Sequence, residues 1–487
     1  MDFATSFALI APELVLGTAG LVLVLWAAWG GDNHARLISS LAAISLFIAG
    51  LMLAPTLHDG LIGPETAAFG DLFRADAFAA FAKALIYLAA IGCLMVAPNY
   101  FDHLKSMRAE YPVLIVFATL GMSIMVSAHD FLTLYIGLEL NSLAAYVLAA
   151  ILRTDRRSAE AGLKYFVLGA LASGILLYGM SLLYGFTGST SFDAVRVALE
   201  GDLSTGQLFG IVFVLAGLAF KISAAPFHMW TPDVYEGAPT PVTTFFATAP
   251  KVAAIALTAR VALEVFGSQS LAWQQIVTVA ALLSIVIGAL GAIGQENLKR
   301  LLAYSSINNV GFILLGLVVA TTSGTAAMMI YLFIYVAMSL GSFVALLMLR
   351  DDDGNLYETF ADISGLSTTR PLLAWCLLLL MFSLAGIPPL LGFWGKFVIF
   401  QAAVDAGMVA LGAIAIAASV IGAFYYIKFV KVMFFDEPVG VVTGRSSPSH
   451  WVILSVTTLI VSPLGYLLTP SLNDLATKAA SALFLGS

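Results

Sequence analysis

The feature that most constrains this chain is an apolar run of about twenty residues that recurs from one end of the sequence to the other. About 20 consecutive apolar residues cross the hydrocarbon core of a bilayer as a helix, and here such stretches follow one another with only short polar breaks. Of 487 residues, 60% are hydrophobic and 10% are charged. Soluble domains carry about 25% charged residues, so these few cannot cover a water-facing surface. β-barrel spans would read as short alternating segments, and none dominate. The chain is therefore expected to be all-α, a polytopic membrane protein.

Marking the apolar runs between charged or Pro/Gly-rich breaks gives about fourteen spans. They lie near 7–29, 36–55, 76–97, 112–127, 130–152, 158–186, 206–230, 238–264, 273–293, 301–320, 324–349, 371–404, 407–434 and 449–470. The first stretch opens on an acid instead of a basic segment and reads as a span, not as a cleaved leader. Basic residues cluster in loops after odd-numbered spans: Arg36, Lys105, Arg108, Arg153, Arg156, Arg157, Lys299, Arg300, Arg350, Arg370, Lys431 and Arg445. Loops after even-numbered spans carry little beyond Arg74 and Arg196. The positive-inside rule places the odd loops in the cytoplasm, and an even span count puts both termini on the other side.

Spans seven and twelve share a pattern. FKISAAPFHMW and SLAGIPPLLGFWGKF each place small residues before proline, a tryptophan four or five residues later and a lysine nearby. Pro226 in one, and Pro388 and Pro389 with Gly386 and Gly392 in the other, predict two discontinuous helices, because proline removes a backbone donor and clashes with the preceding turn. Gly/Pro-interrupted spans at corresponding places are the mark of an inverted-repeat transporter core. A five-span offset predicts two inverted five-helix repeats: helices 4–8 over residues 112–264 and helices 9–13 over 273–434. Residues 1–111 hold helices 1–3, and 449–487 hold the last helix and tail.

Several chemistries find no support. No Gly-rich phosphate loop is followed by Lys-Ser/Thr, so ATP has no visible engine. No basic stripe suggests nucleic acid. Cys93 and Cys376 stand alone in apolar runs, without the spacing of zinc or iron–sulfur ligands. Sodium sites want clustered carboxylates and carbonyls, and carboxylates within spans are sparse.

What remains is a set of isolated charges in apolar surroundings: Glu139, Lys221, Lys251 and Lys396. Each would cost about 2.5–3.5 kcal/mol at a helix centre, so they are expected to face protein or trapped water, paired. The three lysines lie beside helix-breaking residues, where freed carbonyls and water can solvate an ammonium. Burial pushes a lysine toward releasing its proton, and a nearby carboxylate pulls it back. A Glu–Lys pair that can separate is thus a proton switch, with Glu139 and Lys221 the natural pair, Lys251 an intermediate carrier and Lys396 the second repeat's equivalent. Lys164 sits one to two turns inside span six and is a further candidate. His228 and His129 are candidates for proton transfer near neutral pH, although a histidine in a helix break is more often a hydrogen-bonded structural group. Lys83, Lys428 and Lys431 lie near span ends, where snorkelling to the headgroups competes with function.

Three segments then converge on one resemblance. FKISAAPFHMWTPDVYEGAPTPVT (220–243), QENLKRLLAYSSINNVGF (295–312) and LAGIPPLLGFWGKF (384–397) resemble the antiporter-like subunits of respiratory complex I, and the likeness covers nearly the whole chain. Within that group, GLELNSLAAYVLAA and WTPDVYEGAP are similar to the N type. The chain stops shortly after span fourteen, without the lateral helix expected of the L type. The resemblance implies that Glu139 and Lys221 match the family's coupled pair, Lys251 its central lysine and Lys396 the lysine of the broken twelfth helix. It also matches Lys164 and Lys299 to further family lysines. Asn309 stands where relatives commonly have histidine.

The resemblance further implies no cofactor in this chain: flavin, iron–sulfur clusters and quinone belong to partner subunits, and the enzyme activity belongs to the complex. Implied partners are the other membrane subunits, including the neighbouring M-type subunit and small membrane subunits, in a bacterial inner membrane. Two alternatives stay open at this point, a subunit of a multi-subunit Na⁺/H⁺ antiporter and a structural spacer.

Overall fold

The structure, a computed structural model, describes residues 3–60, 66–351, 356–439, 442, 444 and 447–484; Arg445, counted among the basic loop residues above, lies outside the described residues. Nearly all of it is helix. The long helices are α1 (Ala11–Gly30), α2 (Ala35–Leu51), α3 (Ala77–His103), α4 (Glu110–Val126), α5 (Phe131–Ala149), α6 (Arg156–Thr187) and α7 (Thr205–Ile222). After the first break come α8 (Trp230–Gly237), α9 (Thr240–Phe246), α10 (Ala249–Arg260), α11 (Ser270–Ile293), α12 (Leu298–Val318) and α13 (Thr322–Leu347). The remainder are α14 (Pro371–Ala385), α15 (Leu391–Asp405), α16 (Val409–Phe435), α17 (Pro448–Val461) and α18 (Thr469–Ser481). Two two-residue strands, Ala67–Ala68 and Phe73–Arg74, pair antiparallel in the loop before α3.

Local chemistry starts these helices where the polar breaks fall. Asp76, Asp130, Asp155, Asn297 and Thr321 each accept a hydrogen bond from a free backbone N–H of the following turn, and Ser204 with Gln207 forms a reciprocal capping box before α7. Such caps satisfy donors that the bilayer could not.

Among the described residues, eleven helices are long and apolar enough to cross a membrane, or thirteen if each of two sharply bent pairs is one span; Glu110–Val126 is a shorter apolar helix. Every run marked in the sequence has a helical counterpart, and length and composition by themselves support eleven to thirteen of the fourteen expected crossings. The last run also differs in shape. In place of one helix over 449–470, α17 stops at Val461, Ser462 caps Leu464 N at 3.2 Å, and the chain turns by 71° into a segment that ends in α18. Pro463 has no N–H with which to continue α17, and the polar α18 packs back against α13 and α3.

Burial sorts the spans into inner and outer ones. The segments Thr240–Val265, Leu298–Val318 and Thr322–Leu347 are each 94% buried, whereas α1 is 28% and α16 is 33%. The inner spans therefore meet protein on all sides, while outer helices present Leu21, Ile136, Leu163 and Val420 outward. Several crossings rely on small residues; in two of them, a Cβ on Gly121 of α4 would come within 2.6 Å of the α5 backbone, and one on Gly311 of α12 within 2.6 Å of the α11 backbone. These are the first two helices of each expected repeat.

Candidate functional site

The breaks fall where proline and glycine predicted them. α7 ends at Ile222, Ser223 adopts a left-handed conformation, and a short turn containing a cis Ala225–Pro226 bond leads to α8. The backbone groups released here find specific partners. Trp230 Nε1 donates to Phe220 O at 3.0 Å, Ala225 N donates to Ser284 Oγ at 2.8 Å, and Lys251 Nζ of α10 donates to Ile222 O at 3.4 Å. Lys221, one residue before the helix end, donates to Ser142 Oγ of α5 at 2.8 Å and to Ser173 Oγ of α6 at 3.1 Å.

The second break repeats this chemistry. α14 ends in left-handed Gly386, and α15 resumes at Leu391 after a cis Pro388–Pro389 bond. Lys396 Nζ donates to the released carbonyls of Leu384 and Ala385 at 3.1 and 3.2 Å and to Ser419 Oγ at 3.4 Å. Ser383 Oγ accepts from Gly392 N at 3.0 Å, and a Cβ at Gly392 would lie 2.0 Å from Ser383 O, so only glycine allows this closure. A cavity of about 670 Å³ opens beside Lys396, lined by Ile387, Phe393, Phe397 and Val420.

Lys251 and Lys396 are buried and Lys221 is half-buried, and each sits over an aromatic ring: Tyr235 at 5.7 Å, Phe312 at 4.5 Å and Tyr146 at 5.9 Å, respectively. Among the described residues none of the three has a carboxylate within 4.0 Å. The sequence led us to expect paired charges. Neutral oxygens replace the carboxylates because broken helices leave carbonyls free and serines face the breaks.

Glu139 and Lys221 accordingly form no ion pair. Glu139 lies one turn from Ser142 on α5, half-buried, with Oε1 buried and without a partner among the described residues. Its neighbours Leu132, Ile136, Leu143 and Val147 are exposed. His228 lies inside the first break, half-buried, its Nδ1 likewise without a partner.

Between the two breaks runs a belt of buried polar groups that the sequence did not single out beyond Asn309. Tyr335 donates to Ala247 O at 3.0 Å and pairs with Ser306 at 2.7 Å. Tyr331 donates to Asn309 Oδ1 at 2.6 Å, and Asn309 Nδ2 reaches Ser305 Oγ and the Tyr426 hydroxyl, each at 3.4 Å. Ser305 and Tyr426 pair at 2.5 Å. The Tyr331 ring packs against Gly395, next to Lys396. The signal was the run YSSINN, where every polar residue but Tyr304 is buried on a wholly enclosed helix.

The other lysines sit differently. Lys164 pairs with Glu160 and Asp233, both at 2.8 Å, and Arg300 joins Asp233 at 2.6 Å and Glu236 at 3.0 Å. Lys299 pairs with Glu358 at 3.1 Å, which also holds Arg157 at 3.1 Å. Burial opposes ionisation of Glu358, but the Lys299 ammonium and Arg157 guanidinium hold its carboxyl below the usual range. A cavity of about 270 Å³ opens among Arg157, Glu160, Lys164, Asp233, Glu236 and Arg300. Lys83, weighed above as a snorkelling residue, is instead enclosed: it pairs with Glu13 at 2.7 Å, and both are almost fully buried. Its carboxylate partner comes from α1, so no path to the headgroups is needed. Lys431 does reach outward, to Asp436 at 2.6 Å, and Lys428 lies over Phe360 at 4.6 Å. Cys93 and Cys376 are free, buried thiols.

Residues 128–422 match the family described as NADH:quinone oxidoreductase/Mrp antiporter, transmembrane. NADH-quinone oxidoreductase subunit N of Erythrobacter litoralis is 72% identical over 487 residues, covering all of both chains. The subunit N of Rhodospirillum rubrum is 47% identical over 480 residues, covering 98% of this chain and 97% of that one. Among solved structures, a chain of respiratory complex I from Thermus thermophilus with bound aureothin superposes with a TM-score of 0.80 at 32% identity, covering 96% and 99%. A chain of the Mrp complex from Dietzia shares the fold, with a TM-score of 0.85 at 24% identity over 100% and 98%.

Proposed function

Because the chain belongs to the NADH:quinone oxidoreductase/Mrp antiporter membrane family, we propose that its row of buried lysines is the proton path of an N-type subunit. The chain is a multi-pass, proton-translocating membrane-arm subunit of NADH:quinone oxidoreductase, a respiratory enzyme complex, and its partners are the other membrane-arm subunits, an M-type antiporter-like subunit among them. The observation that carries the path is the neutral coordination of Lys221, Lys251 and Lys396.

An ammonium held only by hydroxyls and carbonyls is not locked to a countercharge. Hydroxyls both donate and accept, so the serine, tyrosine and asparagine belt can relay a proton between Lys251 and Lys396, with water completing the line. Protons enter through the charged cavity at the Arg157–Arg300 end, which the positive-inside rule assigns to the cytoplasm; both termini then lie on the periplasmic side. Glu139 sets the timing. It stands one turn from the serine that Lys221 holds, at the edge of an exposed apolar face where a neighbouring subunit packs. A carboxylate that approaches a lysine tightens its hold on the proton, and one that withdraws loosens it. Motion transmitted through that neighbour would thus load and unload Lys221. Flavin, iron–sulfur and quinone chemistry lies in the partner subunits.

The matching glycine-tight helix pairs and the two lysine-filled breaks support reading helices 4–8 and 9–13 as inverted repeats. Lys221→Ala or Lys396→Ala should abolish most NADH-driven proton pumping in vesicles while the complex still assembles and is found intact on native gels. Normal pumping in both variants would overturn the path. Pumping that requires sodium would favour the antiporter alternative.

A further inference from the structure

A second charge cluster lies away from the lysine row, at the opposite end of the molecule from the Arg157–Arg300 cavity. His129, in the turn between α4 and α5, is fully buried, and neither ring nitrogen has a hydrogen-bond partner among the described residues. Nε2 faces Asp193 Oδ2 at 3.2 Å and Asp71 Oδ2 at 3.5 Å, and Nδ1 faces Glu264 Oε2 at 3.4 Å. The two aspartates are partly open to solvent, with side-chain exposures of 47% and 33%.

We propose that Asp71, His129 and Asp193 form a binding site for a zinc ion. Zinc bonded to nitrogen and oxygen at about 2.0–2.1 Å in a tetrahedron sets its ligand atoms about 3.3–3.5 Å from one another. The His129–aspartate separations of 3.2 and 3.5 Å lie close to that spacing, and all three candidate ligand atoms lie within 4.8 Å of one another. A water admitted past the partly exposed aspartates would complete the tetrahedron. Glu264 supplies the outer carboxylate that orients a metal-bound imidazole through its other nitrogen, and it is itself held by Arg260 at 2.7 Å.

Charge favours a cation. Asp71, Asp76, Asp193 and Glu264 stand against Arg74, Arg196 and Arg260, four carboxylates to three guanidinium groups. Arg74 is the built-in competitor, donating to Asp71 at 3.0 Å through Nε and Nη2 and to Asp193 at 3.0 Å through Nη2. Zinc must share these carboxylates with it or move it aside. Because Asp71 and Arg74 come from the loop before α3, Asp193 from the short helix Phe192–Ala198 and Glu264 from the end of the α10 segment, a bound ion would tie four segments together.

The test uses the intact complex in nanodiscs, equilibrated with zinc chloride alone, with bound zinc counted by elemental analysis across a range of free zinc. Wild type should bind one ion more than His129→Gln. Glu264→Gln should weaken that ion about 10–100-fold, as loss of an outer partner does, and Arg74→Gln should tighten it. X-ray absorption at the zinc edge should show one imidazole among oxygen ligands. Equal zinc in wild type and His129→Gln would overturn the site. Should His129→Gln fail to assemble, Asp193→Asn makes the same comparison. None of these outcomes depends on the lysine path.

Discussion

Lys251 and Lys396 differ from Lys164 and Lys299 in one respect, and it separates two kinds of lysine in the same molecule. The first two are buried at helix breaks with carbonyls and hydroxyls as partners. The second two lie at a polar end, each fixed by carboxylates. A carboxylate stabilises the ammonium and holds the proton where it is. One neutral carbonyl at Lys251, or two carbonyls and a hydroxyl at Lys396, solvates an ammonium less completely than a carboxylate does. The contrast teaches that depth alone does not decide whether a lysine meets a countercharge. Lys83 is as buried as Lys251, yet its bond to Glu13 puts it with the fixed group.

The comparison breaks most sharply if Lys251, the central carrier of the proposed path, is removed. Lys251→Met keeps the length and apolar stem but no titratable group, and should reduce proton pumping per NADH oxidised to background in reconstituted vesicles, with assembly preserved. Unchanged pumping would place Lys251 with the structural lysines. A smaller effect comes from converting one kind into the other. Ser419→Asp puts a carboxylate beside Lys396, and each pKa unit of added proton affinity should slow release about tenfold, read as slower turnover with the complex intact. If turnover holds, neutral coordination is not what frees Lys396.

The smallest effect belongs to the fixed group. Glu358 has a carboxyl held below the usual range in the folded chain, so its contribution to stability is present above the unfolded value of about 4.3 and is lost as pH falls through the lower folded value. Glu358→Gln should therefore melt earlier than wild type near neutral pH, and the gap should close on acidification below about pH 4. Pumping per assembled complex should change little. A large loss of pumping would move Lys299 into the path.

Much of the site was legible before the fold. Lys221, Lys251 and Lys396 stand out because charge inside an apolar run is costly anywhere in a bilayer, and Pro226, Pro388 and Pro389 mark breaks because proline lacks a donor in every context. The partners were not legible. Ser142, Ser173 and Ser419 are unremarkable in sequence, and a serine becomes an ammonium ligand only when three helices bring it to the break. The same holds for Glu13 beside Lys83, which lie on different helices, and for the cluster around His129, gathered from four segments.

The sequence by itself determined the membrane-spanning helical class, the places where two helices must break and the residues too costly to bury without reason. Those follow from transfer energies and backbone geometry, which act residue by residue. Only the tertiary structure decided which lysines meet carboxylates and which meet carbonyls. That choice depends on contacts between helices far apart in the chain, and it is what separates a lysine fixed by a countercharge from one that the proposed proton path can use.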